Sequence, residues 1–348
     1  MAKNEIEKLV DKLSKKYGTL RIAGNVEDTK EYISTGNLAL DLALEGGVAL
    51  GYAMEWSGKS GSGKTALLQI MLADMQKKYD TYGIWLDREK AFFNKRAEEI
   101  GIDLKKTIVI DPSDIPTAVE AEIIMKEVLM SLPKDAYKFI AIDSISAFSR
   151  GGKAEKSDMG KKAQSLHGLF REILAHMDRR TSFHFTNQRT FKVGVMFGDP
   201  ETTTGGEAPK YYTTYRIKLD DKKAIKDAKR GNEIVGNWVK ATIIKTRTGP
   251  NFRNVTFPFY FRGGIPYYGG YARLLANRGY LSPNNKTEFN SFKQSTLSYL
   301  EEKKINEFEI EKFLEKYPEL LFAQYPEYNI NADIIEEEND EFVLGEED

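Results

Sequence analysis

Three groups of residues have the types and spacing to handle phosphate. The first is Gly58-Lys59-Ser60-Gly61-Ser62-Gly63-Lys64-Thr65, which satisfies G-x-x-x-x-G-K-[ST] at every fixed position. Glycines at these intervals let successive backbone N–H groups converge on phosphate oxygens, and a helix starting just after them adds partial positive charge. Lys64 is then placed to reach the terminal phosphates of a nucleoside triphosphate, and the Thr65 hydroxyl to complete a Mg²⁺ shell. The second group is Asp143, which closes the apolar run Lys138-Phe139-Ile140-Ala141-Ile142. A carboxylate at that point can hold the same Mg²⁺ from the side opposite Thr65. The third is Asp87-Arg88-Glu89-Lys90, directly after the apolar run Tyr82–Leu86. Ligands bind at the C-terminal ends of strands in open α/β sheets, so Glu89 can orient or deprotonate an attacking water there. Spacing alone fits a solvated acid at a strand end equally well.

These side chains need a scaffold, and the chain around them alternates accordingly. Ala53-Met54-Glu55-Trp56 predicts a buried strand before the glycine loop, and Ala66–Ala73 a helix after it. Strands are expected at Tyr82–Leu86, Thr107–Ile110, Lys138–Asp143 and Phe185–Gln188, with helices over Ala118–Met130 and Met159–Arg180. That order argues for an α/β fold with a mostly parallel sheet covered on both faces. Tyr211–Leu219 and Gly236–Lys245 read as paired strands joined by a charged turn, Asp220–Asn232, and Asn254–Tyr260 as the last strand of the main body. Two connections stand out. Ser149–Asp158 is rich in glycine, lysine and serine, and six Gly or Pro residues between Gly194 and Pro209 leave room only for a long loop. At the start, Asn4–Tyr17 predicts a capped amphipathic helix with Ile6, Leu9, Val10, Leu13 and Tyr17 on one stripe. Toward the end, Tyr271–Arg278, Glu288–Lys304 and Glu307–Tyr317 predict a small α-rich C-terminal domain, and the acidic residues after Tyr325 a disordered tail.

Composition narrows the class. Among 348 residues there is no cysteine, which excludes a disulfide framework and a thiolate metal site and fits a reducing compartment. The charged start is unlike a signal peptide, and no apolar run reaches membrane-spanning length, so a cytoplasmic protein with no membrane partner is expected. The net charge of −1 conceals an asymmetry. Residues 317–348 hold 11 acids and no Lys or Arg, leaving 51 basic residues against 41 acidic ones in the remainder. A basic body with an acidic appendage suits a polyanion partner with an internal competitor; an ordinary solvated tail fits the count equally. His167, His176 and His184 share no metal-ligand spacing and read as ordinary core or surface residues.

Two further stretches carry a resemblance. Ile33-Ser34-Thr35-Gly36-Asn37-Leu38-Ala39-Leu40-Asp41-Leu42-Ala43-Leu44 lies just ahead of the glycine loop, and Gly194-Val195-Met196-Phe197-Gly198-Asp199-Pro200-Glu201-Thr202-Thr203-Thr204-Gly205-Gly206 follows Gln188. Both are similar to segments of the RecA family of recombinases, bacterial or phage-encoded and UvsX-like, and the similarity covers about Ile33 to Tyr260. It implies a RecA-like P-loop ATPase core over residues 33–265 with an N-terminal helix and linker over 1–32. A small C-terminal domain over 266–325 and the tail 326–348 complete the plan. It further implies an ATP-dependent recombinase, using ATP and Mg²⁺, that forms a helical filament on single-stranded DNA and pairs it with a homologous duplex. Single-strand-binding and mediator proteins would be partners in a bacterial cell or phage-infected host.

By the same resemblance Glu89 is the catalytic acid of a D-x-E motif. Gln188 senses the γ-phosphate and signals to the loop Phe191–Gly206. Lys245 and Arg247 reach across a subunit boundary to a neighbour's ATP, and the N-terminal helix docks on the adjacent protomer. DNA would be held by Met159 after the first loop, by Arg171, and by Lys192, Val193, Gly194, Val195, Met196, Thr204, Gly205 and Gly206. Departures exist: Arg96 stands where the family has an adenine-stacking tyrosine, and Glu207 and Pro209 where it has asparagine and leucine. Two other readings share the phosphate chemistry, a hexameric RecA-fold helicase or motor and a non-catalytic accessory protein that binds DNA under ATP control. The Gly194–Gly206 tract speaks against the first and Glu89 against the second.

Overall fold

A computed structural model describes residues 4–17, 22, 31–111, 117–148, 158–191, 201–203, 208–227, 231–247, 249, 251–267 and 269–270. The chain opens with helix α1 (Glu5–Tyr17). Its capping box is the expected one: Glu7 N donates to Asn4 Oδ1 (2.8 Å) and Asn4 N to Glu7 Oε2 (2.9 Å). Ile6 and Leu9 of the apolar stripe stay 61% and 54% exposed.

Next, strands β1 (Tyr32–Ile33) and β2 (Val48–Ala49) pair antiparallel around helix α2 (Leu38–Ala43). The buried Asp41 knots this unit together. Its carboxylate accepts from Thr35 N (2.7 Å), Thr35 Oγ1 (2.6 Å) and Ser34 Oγ (2.5 Å), while its carbonyl takes the N–H groups of Gly46 and Gly47. Burial pushes the Asp41 carboxyl up, and the Ser34 and Thr35 hydrogen bonds pull it back down. Asn37 caps α2 and also donates to Pro266 O and Gly269 O, tying the unit to the far end of the described body.

The elements that position the site follow in order: β3 (Ala53–Gly58), α3 (Lys64–Lys78), β4 (Thr81–Asp87), α4 (Asn94–Ile100), β5 (Thr107–Ile110), α5 (Ala118–Ser131) and β6 (Tyr137–Asp143). After a 3-10 turn (Ile145–Ala147) come α6 (Asp158–Ala175), β7 (Thr181–Phe191), β8 (Glu201–Thr203), α7 (Ala208–Tyr212), β9 (Tyr215–Asp227), β10 (Glu233–Lys245) and β11 (Asn254–Tyr260). Among the described residues the main sheet runs β11-β10-β9-β3-β7-β6-β4-β5, with β8 paired to β7 off that path. From β9 to β5 neighbours are parallel; β9, β10 and β11 pair antiparallel. The fold is therefore mixed α/β with a mostly parallel central sheet.

Strand alternation divides the core into two layers. Trp56, Trp85, Phe139 and Ala141 pack with Leu67, Leu68, Met71 and Leu72 of α3. Ile84, Leu86, Ile140, Ile142, Phe183 and Phe185 face the other way onto Met125 of α5 and Leu169 and Phe170 of α6. Helices α5 and α6 approach so closely that a Cβ on Gly168 would lie 2.4 Å from Glu122 Oε2.

Several boundaries differ from the sequence expectation. Helix α6 ends at Ala175 and not at Arg180, because the Asp178 carboxylate accepts from Arg180 N (2.9 Å) and Thr181 Oγ1 (3.0 Å) and closes a turn. Strand β7 continues past Gln188 to Phe191, where Arg189, Thr190 and Phe191 pair with Thr203, Thr202 and Glu201. Part of the expected loop is thus a hairpin. Tyr211 and Tyr212 belong to α7, and β9 starts at Tyr215. Most of the expected charged turn Asp220–Asn232 is the outer half of the β9–β10 ribbon, with register shifts at Ile234/Gly236 and Asn237/Val239. There backbone pairing continues without a buried face, so hydrophobic pattern gives no sign of it. The C-terminal domain and tail expected after residue 270 lie outside the described residues.

Candidate active site

The glycine loop joins β3 to α3, and its shape depends on Gly58. A Cβ there would sit 2.6 Å from Ser62 Oγ and 2.7 Å from Leu219 O. Gly63, the residue before α3, has φ 85°, which an L side chain rarely adopts. Lys59, Ser60 and Gly61 form an exposed tip, whereas Ser62, Gly63 and Lys64 are buried. The Lys64 ammonium folds back to donate to Gly58 O (3.1 Å) and Lys59 O (2.6 Å). Burial pulls its pKa down, opposed by the charges of Asp143, Glu89 and Asp221. A cation held by two carbonyls among three carboxylates can exchange those carbonyls for phosphate oxygens.

Asp143 closes β6 beside the loop. Its Oδ2 accepts from Thr65 Oγ1 (2.6 Å) and its Oδ1 from Thr186 Oγ1 (2.5 Å). Burial raises its pKa, while the Thr186 and Thr65 hydrogen bonds lower it. The backbone N–H groups of Arg88 and Glu89 donate to Asp143 O (2.6 and 3.1 Å). The exposed Glu89 is thereby fixed at the end of β4, and its Oε1 accepts from Ser144 Oγ (2.5 Å) and Gln188 Nε2 (3.3 Å). In register Gln188 lies beside Gly58. Lys64, Thr65, Glu89, Asp143 and Gln188 are therefore gathered at one edge of the sheet. Asp87 serves the turn instead, accepting from Ala91 N and Phe92 N (both 3.0 Å).

The donor set fits a hard divalent cation. Thr65 and Asp143 offer oxygen only, and Mg²⁺ at phosphate sites takes few protein ligands and keeps several waters. Among the described residues no group of three or more His, Cys, Asp or Glu is placed to hold a metal.

Other expected site residues lie elsewhere. Lys245 pairs with Arg216, which pairs with Glu55, so it lies nearer the start of β3 than Gly58 does. Its ammonium donates to Lys210 O and Thr213 O (both 2.7 Å), and burial is the main cause lowering its pKa, followed by Arg247 and Arg216. Arg247 is exposed beyond the end of β10. Beneath Lys245, the fully buried Glu55 accepts from Arg216 Nε (2.5 Å) and Asn187 Nδ2 (2.8 Å). Met159 is in the first turn of α6, and the exposed Arg171 lies on the order of 18 Å further along it at 1.5 Å per residue. Lys192, Val193, Gly194, Val195, Met196, Thr204, Gly205 and Gly206 lie outside the described residues. His184 is fully buried and stacks on Phe139; Trp56 Nε1 donates to its Nδ1 (3.3 Å), which leaves Nε2 to donate to Ser182 Oγ (2.7 Å).

Thr186, Ser144 and Asp221 contribute to the site without having been anticipated. Thr186 had a legible signal, since it lies two residues before Gln188 and period two puts both on one face of β7. Ser144 is adjacent to Asp143. Asp221 falls within the stretch read as a turn.

Most of the chain is similar to known proteins. A family model described as the RecA N-terminal domain matches residues 4–266. Protein RecA of Acinetobacter baylyi is 30% identical over 353 residues, covering 96% of this chain and 97% of that one. Protein RecA of Streptomyces venezuelae is 31% identical over 81% of this chain and 75% of its own. That of Bacteroides thetaiotaomicron is 31% identical over 79% and 83%.

Proposed function

The chain belongs to the RecA family, and from that premise we propose that it is an ATP-dependent DNA recombinase. In this reading it polymerises on single-stranded DNA as a helical filament and pairs that strand with a homologous duplex. One observation carries it: Gln188 Nε2 reaches Glu89 Oε1 (3.3 Å) from the strand that runs on into the hairpin β7–β8. The acid that would activate water and the segment that would grip DNA thus share one strand.

The roles follow from the positions. Lys64 exchanges the Gly58 and Lys59 carbonyls for terminal phosphate oxygens of ATP, and Thr65 and Asp143 would hold Mg²⁺. The bound Mg²⁺ supplies neutralisation of charge that builds on the phosphoryl oxygens. Glu89 accepts the proton of the attacking water, held in orientation by Ser144. Gln188 reports on the γ-phosphate position and passes its state into residues 191–206, so that hydrolysis loosens DNA. Lys245 and Arg247 serve a neighbouring protomer's ATP, because within one chain they stand toward the opposite end of the strands from Lys64. Residues 1–32 supply the protomer contact, for which the exposed Ile6 and Leu9 of α1 are suited. Residues 266–325 as a small domain and 326–348 as an acidic tail are part of this reading, and residues 271–348 lie outside the described residues.

Met159, Lys192–Met196 and Thr204–Gly206 would contact DNA, chiefly through backbone and small side chains, which suits binding that ignores sequence. Among the described residues no helix is long and apolar enough to cross a membrane. Strand exchange between a circular single strand and a homologous linear duplex tests the proposal. Joint molecules should require ATP and homology; unwinding that ignores homology would favour the motor reading instead.

A further inference from the structure

Asp143 is gripped through its backbone and through both carboxylate oxygens. Its carbonyl takes the N–H groups of Arg88 and Glu89 (2.6 and 3.1 Å), which fixes the end of β6. Its Oδ2 accepts from Thr65 Oγ1 (2.6 Å) and its Oδ1 from Thr186 Oγ1 (2.5 Å). The two threonines differ in setting. Thr65 is half-buried in the first turn of α3, directly after the glycine loop, whereas Thr186 is fully buried within β7. That strand is paired on both sides there, with Trp56 of β3 in register with Thr186 and Ile142 of β6 with Phe185. The next two side chains are tied as well, Asn187 Nδ2 to Glu55 Oε1 (2.8 Å) and Gln188 Nε2 to Glu89 Oε1 (3.3 Å). The Thr186 hydroxyl is therefore presented from a fixed point, and Thr65 is the partner placed to turn toward a ligand.

We propose that Thr186 is a positioning residue for the metal: it holds Oδ1 of Asp143 so that Oδ2, the oxygen beside the Thr65 hydroxyl, is the one offered to a divalent cation. The inference deepens the nucleotide-site reading and rests on it. A carboxylate on a fixed backbone can still change rotamer, and each alternative takes a ligand away from the cation. A hydroxyl on a central strand stops that movement, because threonine is itself stiff at χ1. Mg²⁺ depends on this more than larger ions do, since it demands near-ideal octahedral geometry and takes few protein ligands. Hydrogen bonds to ligating carboxylates orient them in the same way in metal sites generally. A buried hydroxyl that merely satisfied itself would leave cation affinity indifferent to its removal, and the test turns on that difference.

The test compares wild type, Thr186→Val and Thr186→Ser by the Mg²⁺ concentration that half-saturates binding of a fluorescent, non-hydrolysable ATP analogue. Mn²⁺, followed by its electron paramagnetic resonance signal, gives a second measure of the bound ion. Valine keeps the branched shape and loses the hydroxyl, so the half-saturating Mg²⁺ concentration should rise about 10- to 100-fold, the range for losing a group that orients a metal ligand. The Mn²⁺ titration should shift in the same direction. Serine keeps the donor and should return the value to within about threefold of wild type. An unchanged Mg²⁺ requirement in Thr186→Val overturns the proposal. So does a loss of analogue affinity that is equal at every Mg²⁺ concentration, which is damage to the loop and not to the metal site. Should Thr186→Val fail to fold by circular dichroism, Thr186→Ala takes its place, the same shift supporting the proposal and an unchanged requirement overturning it. Wild-type analogue binding that ignores Mg²⁺ would sink the nucleotide-site reading itself, whereas unaltered requirements in variants of a Mg²⁺-dependent wild type sink the positioning role alone.

Discussion

Where the parallel strands end, Lys64, Glu89, Asp143 and Gln188 each make hydrogen bonds that a ligand can displace, and Glu89 and Gln188 are exposed. Nearer the start of the same strands, Glu55 is fully buried with both carboxylate oxygens engaged, one by Arg216 and one by Asn187. Both regions border β3 and β7, yet they hold charge differently. Charge that must change partners in a reaction is held on replaceable contacts to carbonyls and hydroxyls, even where, as at Lys64 and Asp143, it is buried. Charge that must stay fixed is desolvated and paired, because a buried partner left alone is costly. Lys245 sits between these regimes, bonded to carbonyls inside the chain and only partly buried. In the proposed filament it would change partners when a neighbouring protomer arrives.

The contrast can be broken by mutation. Lys64→Ala should lower ATP turnover about a thousandfold or more, since it removes the cation bonded to both loop carbonyls. Phosphate release within tenfold of wild type would remove the site. Glu89→Gln should lower kcat by roughly 10² to 10⁴ while nucleotide affinity holds, because the amide cannot take the proton. On the fixed side, Glu55→Ala should cost about 3–5 kcal/mol in urea denaturation, the range for breaking a buried pair. A loss under about 1 kcal/mol would mean that the two regions are not different in kind.

A smaller effect comes from His184, which lies on β7 in register with Met54, one position before the register of Glu55. Burial pulls its pKa from 6.5 to about 3. Below pH 6.5 the unfolded chain takes up a proton that the folded chain refuses, so this contribution is complete above pH 6.5 and is lost on acidification toward 3. Lowering the pH from 7.5 to 5.5 should therefore cost about 1.4 kcal/mol from this group. His184→Gln should remove that part of the slope. Smallest of all, deleting residues 317–348 should tighten oligonucleotide binding a few-fold at low salt and progressively less as salt rises. An identical salt titration would reject a competing role for the acidic tail.

How much of this was legible depended on how local each requirement is. Gly58–Thr65 could be read outright, because a turn that closes around phosphate needs glycine at set positions whatever surrounds it. The Asp41 knot was visible as a pattern but not as chemistry, since Ser34, Thr35, Gly46 and Gly47 converge on Asp41 only once the chain is folded. Thr186 required strand parity as well as a motif. The end of α6 was missed because Arg179 and Arg180 suit a helix, and the Asp178 side chain overrides that preference. The outer half of the β9–β10 ribbon was missed because backbone pairing there carries no hydrophobic signature.

The central claim is that the nucleotide at the glycine loop decides whether the chain grips DNA. Fluorescence anisotropy of a labelled oligo-dT, titrated with protein in the presence of either ADP or a non-hydrolysable ATP analogue, measures this directly. The account predicts at least about tenfold tighter binding with the analogue, accompanied by assemblies much larger than one chain. Equal affinity in the two nucleotide states would contradict it.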